Sequence, residues 1–117
     1  MSQRTERVGE LIHHEISSLL IKGLKDPRIG FVTISAVDVS PDLRLARVYY
    51  TVIGDEAARR ESAAGLKSSS SYIRQQLSRC LSLKYVPELV FLYDESVEYG
   101  HRIESILRDI KPGPSDD

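Results

Sequence analysis

The sequence predicts a single α+β domain with the element order α-β-β-α-α-β-α and a three-stranded sheet. Three observations predict it: apolar residues recur at helical spacing near the start, two β-rich runs flank a turn sequence, and a second helical region precedes a third β-rich run. A chain of 117 residues fits one domain. We expect this domain over residues 1–110 and a disordered tail over residues 111–117.

The first helix is predicted from an apolar stripe at i, i+3 and i+4 spacing. The stripe consists of Val8, Leu11, Ile12, Ile16, Leu19 and Leu20. Gly23 is suited to end this helix, and Pro27 prevents the following turn from continuing as helix.

Two strands are predicted over residues 31–39 and 45–53, because both runs are rich in β-branched and aromatic residues. Ser40-Pro41-Asp42 between them has turn chemistry, so the two strands should form a hairpin. Alternation gives the second strand a core face, made of Ala46, Val48, Tyr50 and Val52. The inward face of the first strand does not follow from its sequence.

The next helical region starts after Asp55, a suitable N-cap, and contains four consecutive serines. Serine side chains compete for backbone hydrogen bonds, so we expect two helices joined by a short break at Ser69, Ser70 and Ser71. The second of these helices carries the stripe Ile73, Leu77, Cys80 and Leu81 and should end at Val86-Pro87. Cys80 is therefore expected to be buried and structural.

Residues 89–93 are predicted to form the third strand. Asp94 then precedes a last helix as its cap. The buried stripe of that helix would be Ile103, Ile106, Leu107 and Ile110.

Composition excludes several classes of protein. Hydrophobic residues make up 41% of the chain and no apolar run approaches the length of a membrane span. A single cysteine forms no internal disulfide, which favours the reducing cytoplasm, and no signal peptide opens the chain. The net charge of −1 argues against a polycation that coats nucleic acid without selectivity.

No cluster of reactive groups indicates an enzyme, a cofactor or a metal site. The sequence lacks a GxxxxGK[ST] loop, GxGxxG and GxSxG. His13 and His14 are adjacent and point about 100° apart on a helix, so they are better interpreted as surface histidines than as metal ligands. Asp94 and Glu95 are better interpreted as capping residues than as an acid–base pair.

The charge is distributed unevenly. Residues 59–84 contain six basic side chains and one acidic one, whereas residues 85–117 contain three basic and eight acidic ones. Phosphate binding depends on Lys and Arg, so the candidate RNA-binding residues are Lys67, Arg74, Arg79 and Lys84, followed by Arg59 and Arg60. The alternative for each is an ordinary solvated charge.

The element order is that of a type II KH-like module, and the chain resembles the ribosome-binding factor A family over about residues 4–110. The most diagnostic block of the resemblance is Val86-Pro87-Glu88-Leu89-Val90-Phe91 followed by Asp94-Glu95-Ser96. Two further blocks are Ser40-Pro41-Asp42-Leu43 with Ala46-Arg47-Val48-Tyr49, and Tyr72-Ile73-Arg74 with Leu77. Asp26-Pro27-Arg28 and Arg102-Ile103 also match. In that family an Ala-x-Gly kink replaces the GxxG loop by which KH domains hold RNA. The matching positions here are Ser69, Ser70 and Ser71, so both alanine and glycine are missing.

The resemblance implies a non-enzymatic, cytoplasmic, monomeric factor that binds the free small (30S) ribosomal subunit. It also implies a role in late maturation and processing of 16S rRNA, around its 5′-terminal helix, that matters most in the cold. The alternative is a protein-interaction module that docks on a ribosomal or other protein through the sheet edge or first helix and contacts little RNA. A small hydrolase is a remote third interpretation, since no reactive cluster supports it.

Overall fold

The computed structural model describes residues 3–24, 26–83 and 86–96. Its elements are α1 (Gln3–Lys22), β1 (Phe31–Val39), β2 (Leu45–Ile53), α2 (Glu56–Cys80) and β3 (Glu88–Tyr93). The predicted last helix and tail fall in residues 97–117, outside the described residues. The expected cap of that helix lies within them: the Asp94 carboxylate accepts a hydrogen bond of 3.0 Å from the backbone N–H of Ser96.

The hairpin is confirmed with the predicted bounds of both strands. β1 and β2 pair in antiparallel register from Phe31 opposite Ile53 to Val39 opposite Ala46. In the turn, the Asp42 carboxylate accepts hydrogen bonds from the Ser40 hydroxyl at 2.7 Å and from the Arg44 backbone N–H at 3.1 Å. These bonds favour the charged carboxylate, so the pKa of Asp42 lies below its usual value.

The inward face of β1 changes partway along the strand because of a β-bulge. Ile34 pairs with Tyr50 and Ala36 pairs with Tyr49, which leaves Ser35 as the extra residue. Before the bulge the even-numbered Ile34 is buried, and after it the odd-numbered Val39 is buried. A strand with this switch has no single alternating pattern, which is why its sequence did not assign a core face.

The sheet has the order β1-β2-β3, with β3 parallel to β2. α1 packs mainly on β1, whereas α2 packs on β2, β3 and α1. The side chains between helices and sheet form one core, and the predicted inward residues of β2 are all in it. Its members with no exposed surface are Ile12, Ile16, Ala46, Val48, Leu66, Ile73 and Leu77.

The predicted break at the serines is wrong: α2 is one helix from Glu56 to Cys80. Ser62, Leu66, Ile73 and Leu77 are buried on one face, before and after the serines, so the core is continuous across them. A serine costs roughly half a kcal/mol in a helix interior relative to alanine. Burial of a leucine or isoleucine contributes about 1.5–3 kcal/mol, so packing on both sides outweighs the local preference of the serines.

The helix also ends earlier than predicted, and Cys80 is exposed rather than buried. The buried positions Leu77 and Leu81 are four residues apart, so the core stripe passes to Leu81, which caps the helix, and misses Cys80. The thiol faces Glu15 of α1. A hydrogen bond to that carboxylate, with its negative charge, raises the pKa of Cys80.

Candidate nucleic-acid interface

Three of the predicted RNA-binding residues form a single row along α2. Arg60, Lys67 and Arg74 follow one another at intervals of seven residues, and all three are exposed. Seven residues make nearly two turns of helix, with a drift of only about 20°. The rise is about 1.5 Å per residue, which separates successive members by roughly 10 Å. We call this set the basic row.

One end of the basic row is tethered to the segment before β3. The Arg74 guanidinium donates a hydrogen bond of 2.9 Å from Nη2 to the backbone carbonyl of Val86. This bond joins the Arg74 end of the row to the residue two positions before β3. It uses one donor of a group that has five, so the positive charge and the remaining donors of Arg74 stay available to a ligand.

Arg59 does not belong to the basic row. Its guanidinium carbon lies 3.7 Å from the centre of the Tyr93 ring, and the residue is half-buried. One residue along a helix is a rotation of about 100°, so Arg59 faces the sheet while Arg60 faces solvent. Arg59 therefore contributes to the packing of α2 on β3.

Arg79 lies on a different face, and Lys84 is outside the described residues. Arg79 is exposed and follows Arg74 by five residues, which corresponds to a rotation of about 140° around the helix. The sequence predicts these cations as RNA-binding candidates without assigning them to faces of a helix. The structure separates Arg59 and Arg79 from Arg60, Lys67 and Arg74.

The serines expected to form a kink instead lie along the middle of α2. Ser69 and Ser70 are half-buried and Ser71 is exposed, all within the uninterrupted helix. Ser68, just before them, accepts a hydrogen bond of 3.0 Å from Nη2 of Arg28. The serines thus border the loop between α1 and β1.

That loop and the serine segment of α2 enclose a groove that sequence reasoning did not identify. The groove has a volume of about 560 Å³ and is lined by Leu24, Asp26, Pro27, Arg28, Ser68, Ser69 and Tyr72. In the sequence, Asp26-Pro27-Arg28 indicates only a turn and forms part of the family resemblance. No periodic signal in the sequence brings this turn next to residues 68–72, since the two segments are forty residues apart.

An ion pair organises the groove. Asp26 accepts hydrogen bonds from Nε of Arg28 at 3.0 Å, from Nη2 at 2.7 Å and from the Arg28 backbone N–H at 3.0 Å. The Arg28 side-chain bonds, followed by the backbone bond, lower the pKa of Asp26 to about 2. The same carboxylate raises the pKa of Arg28 above its usual value. Both groups are therefore charged at neutral pH.

No grouping of metal-ligating side chains occurs within residues 3–24, 26–83 and 86–96. His13, expected at the surface, is half-buried, and its Nε2 lies 3.0 Å from the carbonyl oxygen of Ile34, so this nitrogen donates a hydrogen bond to β1. His14 is exposed as expected. Among the residues that the structure describes, no helix is both long enough and apolar enough to cross a membrane.

Comparison with known sequences identifies similar proteins over nearly the whole chain. The family model described as ribosome-binding factor A matches residues 4–107. A protein of that name from Pelobacter propionicus is 57% identical over 110 residues, which cover 94% of this chain and 90% of the relative. Another, from Geotalea uraniireducens, is 51% identical over 117 residues, covering 100% and 96%.

Solved structures share the fold. The crystal structure of ribosome-binding factor A from Thermus thermophilus aligns with a TM-score of 0.66 and 22% identity, covering 76% of this chain and 94% of that one. A solution NMR structure of a Thermotoga maritima protein aligns with a TM-score of 0.59 and 29% identity, covering 75% and 80%. A homology model of Thermus thermophilus ribosome-binding factor A, fitted into a cryo-electron microscopy map of its complex with the 30S subunit, aligns with a TM-score of 0.60 and 22% identity, covering 82% and 97%.

Proposed function

The chain belongs to the ribosome-binding factor A family, and we propose that it binds the free small ribosomal subunit and assists late maturation of 16S rRNA. The match of the family model to residues 4–107 supports this proposal. So does the structural neighbour described in a complex with the 30S subunit. In this proposal the protein acts in the cytoplasm as a monomer, near the 5′-terminal helix of 16S rRNA.

The observation that carries the proposal is the basic row of Arg60, Lys67 and Arg74. These side chains lie on one flank of a rigid helix and are exposed. Phosphate contacts from Lys and Arg supply much of the affinity of proteins for nucleic acids. A spacing of about 10 Å lets neighbouring members reach different phosphates along an rRNA backbone. The row therefore provides an electrostatic contact despite the net charge of −1.

Binding without catalysis is the second part of the proposal. The pKa of the Cys80 thiol, which forms a hydrogen bond with Glu15, is raised, so the thiol is held in its less nucleophilic form. The Ser35 and Ser96 hydroxyls both donate to the Asp94 carboxylate. Such a carboxylate is held as a structural acceptor. In this proposal the protein acts on rRNA maturation by occupying the subunit and stabilising one arrangement of its RNA.

A protein-interaction module remains the second candidate, and one surface favours it. Phe31 and Ile53 are cross-strand neighbours at one end of the hairpin and are 79% and 76% exposed. Ile21, near the end of α1, is 86% exposed. Exposed apolar groups of this size commonly mark contacts with a protein.

Sedimentation with purified ribosomal particles tests the proposal. We expect the protein to migrate with free small subunits and to be absent from large subunits and from assembled ribosomes. A protein that stays at the top of the gradient with every particle would contradict the proposed function. The variant Phe31→Ser with Ile53→Ser distinguishes the second candidate, because its loss of subunit binding, with the basic row intact, would assign the contact to the apolar surface.

A further inference from the structure

We propose that the groove between the Asp26–Arg28 turn and the Ser68–Tyr72 segment of α2 binds one unpaired nucleobase of ribosomal RNA, an inference that rests on the proposed function. This groove is separate from the basic row. The row would hold phosphates by charge, whereas the groove would hold a flat, uncharged ring by stacking. Single-stranded RNA is typically bound by aromatic side chains and arginine planes on which its bases stack.

Two planar groups line the groove. Tyr72 follows the exposed Ser71 on α2 and is itself 50% exposed. The Arg28 side chain is 46% exposed. A base in the groove would have a phenol ring and a guanidinium plane as stacking partners.

The Arg28 plane is already fixed before any ligand binds. Its Nε and Nη2 donate to the two carboxylate oxygens of Asp26 at 3.0 and 2.7 Å, and Nη2 also donates to Ser68 Oγ at 3.0 Å. Three hydrogen bonds to two separate elements hold both the position and the tilt of the guanidinium. Binding therefore loses little side-chain entropy at this residue.

The loop that carries Arg28 is held directly against α2. Gly65 is buried, and a Cβ atom at this position would lie 2.6 Å from Cγ1 of Ile29 and 3.4 Å from Cβ of Arg28. Only a glycine allows this approach. The two sides of the groove are thus joined by close packing as well as by the Arg28–Ser68 hydrogen bond.

The charge of the groove selects a neutral ligand. Asp26 compensates the charge of Arg28 at a distance of 2.7 Å, and a phosphate placed there would meet the carboxylate as well as the guanidinium. A base carries no charge, and its amino groups can donate to that carboxylate. The side chains of Leu24 and Pro27 add apolar wall, and the volume of about 560 Å³ is in the usual range for small-molecule sites.

Binding of short labelled RNAs to the full-length protein tests the assignment. The probes are hexa-adenylate and an abasic RNA with the same number of phosphates. We expect Tyr72→Ala to weaken hexa-adenylate binding about ten-fold, as alanine substitution of stacking residues does. Tyr72→Phe, which keeps the ring, should bind within about two-fold of the wild-type protein. Arg28→Lys, which keeps the charge but loses the plane, should weaken hexa-adenylate binding several-fold while leaving the far-UV circular dichroism spectrum unchanged.

The abasic RNA separates the groove from the basic row. The double variant Arg60→Glu with Lys67→Glu should weaken the binding of both RNAs equally, since both carry phosphates. Tyr72→Ala should leave the binding of the abasic RNA unchanged. Equal hexa-adenylate binding by Tyr72→Ala and the wild-type protein would overturn the groove assignment. No measurable hexa-adenylate binding by the wild-type protein would also overturn it.

Small subunits then distinguish failure of this inference from failure of the proposed function. If the wild-type protein binds subunits while Tyr72→Ala has unchanged hexa-adenylate affinity, the groove assignment fails and the proposed function stands. If the wild-type protein binds no subunit, the proposed function fails, whatever the oligonucleotide result. If Tyr72→Ala weakens subunit binding but not hexa-adenylate binding, the groove contacts a ribosomal protein, and the base assignment is wrong.

Discussion

The guanidinium carbon of Arg59 lies 3.7 Å from the centre of the Tyr93 ring. Tyr93 in turn meets Tyr50 edge to face, with ring centres 5.7 Å apart and planes at 87°. One cation on α2 is thereby joined to β3 and, through a second ring, to β2. This contact separates two adjacent arginines by role: Arg59 holds the helix on the sheet, and Arg60 remains exposed for a partner.

Replacing Arg59 should affect stability more than binding. We expect Arg59→Ala to lower the free energy of unfolding by about 1 kcal/mol, since it removes the cation–π contact and the packing of a partly buried stem. Urea denaturation measures this change. Arg60→Ala on the exposed side is the matched control and should stay within about 0.5 kcal/mol of wild type. Equal effects of the two alanines would contradict the assigned roles.

Gly65 should resist even the smallest substitution. Alanine normally stabilises a helix interior by about 0.5–1 kcal/mol relative to glycine. Here the added Cβ would lie 2.6 Å from Ile29, so overpacking of about 1–3 kcal/mol should dominate. We expect Gly65→Ala to be destabilising in urea denaturation, and Ser71→Ala, at an exposed position of the same helix, to be slightly stabilising. A more stable Gly65→Ala protein would show that the loop does not pack this closely.

The continuity of α2 through the serines can be tested with proline. Ser70→Pro removes a backbone donor inside the helix and should cost about 3 kcal/mol or more. Ser71→Gly should cost only about half a kcal/mol, because it changes helix propensity alone. Far-UV circular dichroism and urea denaturation report both changes. Two helices with a break at these serines would tolerate the proline, and a Ser70→Pro protein of unchanged stability would support that arrangement.

The Asp26–Arg28 pair should make a stabilising contribution that disappears in acid. The pKa of Asp26 is about 2 in the folded protein and close to 3.8 when unperturbed. A lowered pKa contributes stability that is complete above the unperturbed value and is lost as the pH falls toward 2. The difference in unfolding free energy between the wild-type protein and Asp26→Asn should be constant from pH 7 to about pH 5 and shrink below about pH 4. A difference that grows on acidification would have the wrong sign for this ion pair.

Local patterns predicted the strands better than the helices. β2 alternates cleanly because one face is buried, so its bounds and its core residues could be predicted. The bounds of β1 also agree with the prediction, but the extra residue Ser35 reverses the inward face of the strand. A bulge of this kind has no signature in a single sequence. The serines show the opposite error, since their local preference was clear and the packing of Leu66 and Ile73 outweighed it.

The candidate surface was predictable in composition but not in geometry. The excess of basic residues between positions 59 and 84 could be counted, and a seven-residue spacing within one helix would have linked Arg60, Lys67 and Arg74. The predicted break at Ser69–Ser71 obscured this spacing. The groove between the Asp26–Arg28 turn and the Ser68–Tyr72 segment of α2 depends on a contact between segments forty residues apart. Only the tertiary structure supplies that contact.

Salt-dependent binding of charge-reversed variants to small subunits tests the basic row most directly. The double variant Arg60→Glu with Lys67→Glu leaves the Arg74–Val86 hydrogen bond in place. It should make the negative slope of log K against log salt concentration shallower by about two units, one for each lost phosphate contact. The matched control, Arg7→Glu with Arg44→Glu, changes the net charge equally at exposed positions on α1 and the hairpin turn, and should keep the wild-type slope. If the basic row holds rRNA phosphates, the slope changes only in the Arg60/Lys67 variant. An unchanged slope in the Arg60/Lys67 variant, or the same loss in both, would contradict it.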